Sequence, residues 1–447
     1  MFAFAWLALG LAAHAALPAN ALPANKTPAN TTIPPAAGAS ATIVYVVRRD
    51  ETLLEIAHRA LEPVSSYREV QQLNHIANDR RIPIGFHLIV PRALLKTRPI
   101  LATVEGVRGA AQAEGGGATG ALAVGRTLTE GAVILTGENA YVRLGLPDGS
   151  HLAIPSNSKV ALERLRAVVL TGGIDREIRV QAGGLDSQVT PMTDPSSRFV
   201  VVTPVAQSAV RGTEFQVAYD PGASRATSGV LKGVVGVSNP RAEAVARAGQ
   251  GVVATPGGLK GPVSLLPAPE LEPESAVQGG ERLRFAIKPV AGAARYRLVI
   301  AGDPRVEAPL YELTIDRPAT EVPGLPDGAY YVKLSAISRD GLEGLPGIAP
   351  FTRVRGDLTI VGAVRGADGQ TEFRWASPGE TPAVYRFVLA RRQDRDHPVV
   401  ARDDLAEPRI VVPALAAGDY VWTVFAFRTV GGRRLEIASD PQSLHVP

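Results

Sequence analysis

The 447-residue sequence contains no cysteine. That rules out disulfides, cysteine-bound zinc and a thiol nucleophile, and a lipid anchor attached through a cysteine is not expected. Histidine is scarce, with seven in all. None stands four residues from another and no His-Glu-x-x-His occurs, so no metal site and no cofactor are expected. There is no Gly-x-Ser-x-Gly elbow, no phosphate loop ending in Gly-Lys-Ser/Thr and no Gly-x-Gly-x-x-Gly after a strand. Acidic pairs such as Asp403-Asp404 exist, but a glycosidase needs two carboxylates set in a folded cleft. Catalysis is therefore not expected. Aromatics make up 5% of the chain, the net charge is only +4, and no block of like charges occurs. A nucleic-acid surface is not expected either.

What is present points to ordered β-rich modules. Apolar residues make up 45% and charged residues 20%, while Gly 45 and Pro 36 announce many turns. A chain of this length exceeds one hydrophobic core and should divide into about three to five domains. Residues 2–13 form an apolar stretch closed by Ala13-His14-Ala15, a small-x-small cleavage signature, so residues 1–15 read as a signal peptide. No Lys or Arg precedes the stretch. No later run approaches the length of a membrane span, so no transmembrane segment is expected after signal removal, and the protein should reside in the periplasm or at the cell surface. A repeated Pro-Ala-Asn motif then makes residues 16–41 a Pro/Ala-rich tether.

Residues 42–92 read as a βααβ unit. Ile43-Val44-Tyr45-Val46-Val47 and His87-Leu-Ile-Val90 have strand composition. Thr52-Leu-Leu-Glu55 and Ser66-Tyr-Arg-Glu69 read as capping boxes opening two helices. Leu53, Ile56, Ala57 and Ala60 fall on one helical face. Tyr45-x-Val47, Asp50-Glu51-Thr52-Leu53, Ile56-Ala57, Leu73-Asn74, Ile84-x-x-x-Leu88 and Val90-Pro91 together resemble the LysM family. Members usually carry Gly-Asp-Thr where this chain has Asp50-Glu51-Thr52. The resemblance implies binding to N-acetylglucosamine-containing glycan strands of peptidoglycan, with Asp50, Glu51, Thr52 and Leu53 on one side of the sugar and Ile76, Asn78 and Ile82 on the other.

Residues 93–120, ending in a Gly-rich run, read as a linker. From 121 to 261 short period-two runs predict an all-β sandwich or a short solenoid-like stack of sheets. Gly131, Thr136-Gly137, the Asp148-Gly149-Ser150 turn, Thr203-Pro204 and above all Val210-Arg211-Gly212-Thr213-Glu214-Phe215 resemble the FecR domain. In its best-known members that domain is the periplasmic half of a transmembrane regulator of an extracytoplasmic sigma factor. With no cytoplasmic arm legible here, that role is not expected to carry over directly. Alternation places Phe215 in the core, Gly212 at a bulge or close backbone approach, and Arg211 near enough to Glu214 for an ion pair. Arg211, Gly212, Thr213, Glu214 and Phe215 are thus expected to form a structural motif.

Residues 262–275, rich in Pro and Glu, read as a second linker. An internal repeat with a period of about 89 residues follows: Phe285-Ala-Ile287 with Phe373-Arg-Trp375, Tyr296-Arg-Leu-Val-Ile-Ala301 with Tyr385-Arg-Phe-Val-Leu-Ala390, and Gly328-x-Tyr330 with Gly418-x-Tyr420. The two units, 276–355 and 356–447, resemble fibronectin type III domains. The expected whole is a multidomain, mainly β, exported and non-enzymatic envelope protein. A LysM unit would grip peptidoglycan, and the remaining domains would offer a surface to an envelope protein partner. A sensor acting through the FecR-like domain on a membrane partner is the alternative.

Overall fold

The computed structural model describes residues 42–117, 119–354, 358–377, 382–430 and 433–447. The expected signal peptide and tether lie outside the described residues. Among the described residues, no helix is long and apolar enough to cross a membrane.

The N-terminal module pairs strand Thr42–Val46 antiparallel with His87–Pro91, around helices Leu53–Ala60 and Tyr67–Leu73. Ile43, Tyr45 and Val47 alternate inward against Leu53, Ile56, Ala57 and Ala60. The first capping box forms: Glu55 N donates to Thr52 Oγ1 at 3.2 Å, and Thr52 N donates to Glu55 Oε2 at 2.9 Å. The second does not. A 3-10 turn over Val64–Ser66 has already set Ser66 in helical conformation, and its hydroxyl donates back to Pro63 O at 2.6 Å instead. Asn74 closes the open edge of the second strand. Its carboxamide donates to Ile89 O and accepts from Ile89 N, both at 2.7 Å, as a neighbouring strand would.

Residues 93–120 are not a linker. They contain strands Thr97–Pro99, Ala102–Arg108 and Ala111–Glu114 of the middle domain. The Gly run fits a tight contact there: a Cβ at Gly116 would lie 2.4 Å from Ala132 N. The N-terminal module is therefore docked. Val168, which ends a strand of the middle domain, and Leu170, in the turn after it, complete its core. Val169 N donates to Lys96 O at 3.0 Å, and Arg92 Nη1 donates to Ser196 O at 2.7 Å.

The middle domain winds back and forth between two sheets that face each other across one apolar core. The sheets share the long strand Ile174–Gln188. Its first half pairs with Lys159–Val168 and, in parallel, with Arg198–Val202. Its second half pairs with His151–Ile154 and Glu214–Asp220. Chain progression from hairpin to hairpin gives the stack of sheets that the short period-two runs allowed.

Two β-sandwiches follow, so the chain is multidomain and mainly β as the sequence indicates. The first sets strands Val277–Gln278, Gly347–Arg353, Gly328–Ser338, Ala293–Ala301 and Pro309–Ile315, in that spatial order, over the pair Arg282–Ala286 and Ala319–Pro323. The second packs Thr359–Arg365, Thr371–Ala376 and Arg409–Val412 on a sheet built around Val384–Arg391 and Gly418–Val430. Each repeated Gly-x-Tyr makes the same corner: Tyr330 and Tyr420 hydroxyls donate to the carbonyls of Pro326 and Ala416, four residues upstream. The expected linker at 262–275 is not one: residues to Ser264 complete the middle-domain strand Gly258–Ser264, and residues from Glu270 on join the first sandwich. Glu272 N donates to Ala286 O, Ser275 Oγ accepts from Ala286 N, and the Gln278 carboxamide bonds both Arg284 N and O. Side chains thus cover the edge of strand Arg282–Ala286 where a further strand would lie.

Candidate functional site

The two loops assigned to glycan binding meet in the N-terminal module. Leu53 N, at the start of the first helix, donates to Asp79 O in the loop after the second helix at 2.9 Å. Asp50 has φ 62, the left-handed conformation that a glycine would supply and that Asp tolerates.

Of the seven assigned residues, Asp50 and Asn78 are exposed, and Glu51, Thr52 and Ile76 are half-buried. Leu53 is fully buried and Ile82 nearly so; both are core residues and not sugar contacts, since each faces the apolar side of its element. Thr52 is committed to its helix cap. Glu51 staples the module: it accepts from the Tyr45 hydroxyl at 2.8 Å, from Arg48 N at 2.8 Å and from Arg59 Nη2 at 2.6 Å. Burial pushes its carboxyl pKa up, but these donors outweigh burial and hold it below the ordinary 4.5. Of the assigned residues, the accessible ones on these loops are therefore Asp50 and Asn78.

The Arg-Gly-Thr-Glu-Phe string is built into the middle domain. Phe215 is 1% exposed and meets Phe199 edge-on with ring centroids 6.1 Å apart. Gly212 has φ +107, and a Cβ there would lie 2.5 Å from Pro191 Cα. Thr213 Oγ1 donates to Val234 O at 3.2 Å, and its carbonyl accepts from Val189 N at 3.0 Å. The expected Arg211–Glu214 ion pair does not form. Cross-strand register puts Glu214 opposite Lys232, whose ammonium it meets at 2.7 Å. Arg211, exposed ahead of the bulge, donates to Asp194 O at 3.3 Å. Sequence reasoning missed Arg176, which is buried and pairs with Asp148 of the Asp-Gly-Ser turn over the Phe199 ring. The signal was available: Ile178 and Val180 face inward at period two, and Arg176 occupies the same face.

Residues 132–236 match the FecR protein family model. The region lies inside the middle domain and contains both the Asp-Gly-Ser turn and the Arg-Gly-Thr-Glu-Phe string. No curated protein matches the sequence. Among solved structures, an anti-sigma-factor candidate from Parabacteroides distasonis ATCC 8503 is 18% identical with a TM-score of 0.25, covering 30% of this chain and 60% of that one. The chain thus spans less than two thirds of that protein's length. A two-domain fibronectin type III segment of chicken tenascin is 18% identical with a TM-score of 0.27, covering 41% of this chain and 100% of that one. Fibronectin(III)-like modules of Clostridium thermocellum CbhA are 14% identical with a TM-score of 0.21, covering 39% of this chain and 90% of that one. Among the described residues, no three His, Cys, Asp or Glu side chains gather in a way that could hold a metal ion.

Proposed function

We propose that this chain is a non-catalytic envelope protein that binds peptidoglycan glycan through the loops around Asp50 and Asn78 and holds the FecR region and two sandwiches as an interaction scaffold. The meeting of the two loops through Leu53 N and Asp79 O carries the reading, because a glycan strand laid between them would touch both at once. Docking of the module favours a scaffold over a tethered anchor: bound wall would fix the orientation of the middle domain as well.

The test is co-sedimentation of the intact chain with purified peptidoglycan. The isolated module is a poor probe, because it would lose Val168 and Leu170 from its core. The parent should pellet, Asp50→Ala/Asn78→Ala should lose most of its pelleting, and Arg386→Ala in the second sandwich should behave as the parent. Equal pelleting of the loop variant sinks the reading, and lytic activity in a zymogram would replace it with a wall hydrolase. The match over 132–236 favours one second reading, in which the FecR region relays wall attachment to a membrane partner. Deletion of the gene would then change transcription, and a scaffold alone would not.

A further inference from the structure

Alternation along strand Ile174–Gln188 sends Leu185 and Ser187 into the middle-domain core and Asp186 outward. Directly opposite Asp186 in the next strand is Gln216, followed across the sheet by Gly229 and Gly251. The glycines leave a bare strip on which the Leu342-Glu343 turn of the first sandwich rests. A Cβ at Gly251 would lie 2.7 Å from Leu342 Cδ1, and one at Gly229 would lie 3.4 Å from Glu343 O. From the sandwich side, Tyr296, Leu298 and Ile300 fill its core, so Arg297 must face the middle domain.

Between the two lies a cleft of about 700 Å³. Arg297 sits at its back with three carboxylates around one guanidinium: Glu312 at 2.7 Å, Asp186 at 3.1 Å and Glu343 at 3.3 Å. Glu312 is further satisfied by Ser156 N and Oγ at 3.1 and 3.0 Å. Asp186 also accepts from the Gln216 side-chain amide, and Lys333 acts on it from further off. Burial pushes the Asp186 carboxyl up, but Arg297, Lys333 and the Gln216 amide outweigh it and keep it ionised. Counting the cleft's other walls, five carboxylates face three guanidiniums, with Arg225 already beside Asp220 at 4.0 Å. Gln216 is only 7% exposed, and its Oε1 accepts no hydrogen bond. A buried acceptor without a donor, next to excess negative charge, lacks a donor that is also a cation.

We propose that this cleft is a binding site for an alkylammonium group, such as a lysine-type side chain or a free diamine, held by Asp186, Glu343 and Gln216 Oε1. An ammonium offers three donors and no acceptor, which suits two carboxylates and one amide oxygen. The volume is that of a small-molecule site and leaves room for the chain carrying the amine. Residues from both domains would contact one ligand, so occupancy would tie the FecR region to the first sandwich.

Calorimetric titration of the full chain with Nα-acetyl-lysine amide, Nα-acetyl-norleucine amide and cadaverine tests this. The lysine amide or cadaverine should bind and the norleucine amide should not. Equal binding of lysine amide and cadaverine marks the ammonium alone as recognised, and preference for the lysine amide marks a peptide-borne amine. Glu343→Gln, which keeps the side-chain shape, and Gln216→Leu, which removes the orphan acceptor, should each weaken binding about tenfold while the thermal midpoint stays near the parent's. The proposal is overturned if neither amine binds the folded parent, if the norleucine amide binds equally, or if both variants bind as the parent does.

Discussion

The two sandwiches share a sequence repeat, yet the same arginine has opposite fates in them. Arg297 and Arg386 each follow the repeated tyrosine of the equivalent strand, Tyr296 or Tyr385, and in both units the alternate residues fill the core. Arg297 is nearly buried, with three carboxylates. Arg386 is half-exposed, pairs with Asp403 at 3.3 Å and lies over the Phe425 ring at 6.0 Å. Strand direction and twist are properties of the repeat. Burial of the outward face is a property of what docks on it, and only the first sandwich has the glycine strip of the middle domain against it.

The comparison breaks most severely at Arg297. Removing it leaves three carboxylates facing one another in a largely dry cleft, so Arg297→Ala should cost about 3–5 kcal/mol, read as a lower thermal midpoint of the full chain. Restored stability in Arg297→Ala/Glu312→Ala would confirm that repulsion among the carboxylates, and not lost packing, causes the damage. Phe215→Ala should cost a similar 3–5 kcal/mol in the middle domain, because the ring is enclosed against Phe199. A melt like the parent's would make the Arg-Gly-Thr-Glu-Phe string a surface epitope. Leu170→Ala should cost about 2–5 kcal/mol and should raise protease sensitivity within residues 42–96, since Leu170 belongs to the N-terminal module's core. Damage confined to the middle domain would show that docking is weak.

A smaller effect is expected from pH. The carboxyl of Glu51 is depressed in the folded state, so its contribution is complete above the ordinary 4.5 and is lost as pH falls through the lower folded value. In melts run from pH 7 to 3, the parent's midpoint should fall more steeply than that of Glu51→Gln; parallel curves would remove Glu51 from the account. At the bottom of the scale, Arg386→Ala should shift stability by about 0–1 kcal/mol, as exposed pairs do. A loss comparable to that of Arg297→Ala would mean that the second sandwich also has a hidden partner on its outer face.

Much of the fold was legible because periodicity and local chemistry act over a few residues. Thr52 and Glu55 had to cap a helix wherever that helix went, and Phe215, Val217 and Tyr219 had to share one face of a strand. The candidate site was legible only in part. The two loops that the resemblance pointed to do meet, but Leu53 and Ile82 turned inward because the helix face and the returning loop needed them for the core. Glycine-rich composition misled at 114–120, where the same residues that make a chain flexible also permit the backbone contact between Gly116 and Ala132. The Arg211–Glu214 pair failed for another reason: register brought Lys232 to Glu214 from a strand that sequence spacing cannot locate.

By itself the sequence determined the mainly β, multidomain class of the chain, the repeat of the sandwiches, and which face of many strands is apolar. All of these follow from interactions within a few residues or from a pattern copied along the chain. Only the tertiary structure decided which polar faces would be covered. Arg297, Gln216, Asp186 and Glu343 lie as much as 157 residues apart, and nothing local distinguishes them from solvated surface residues. They became a charged cleft because two domains each left an outward face that fitted the other, and the cost of burying charge was met by pairing it across that contact.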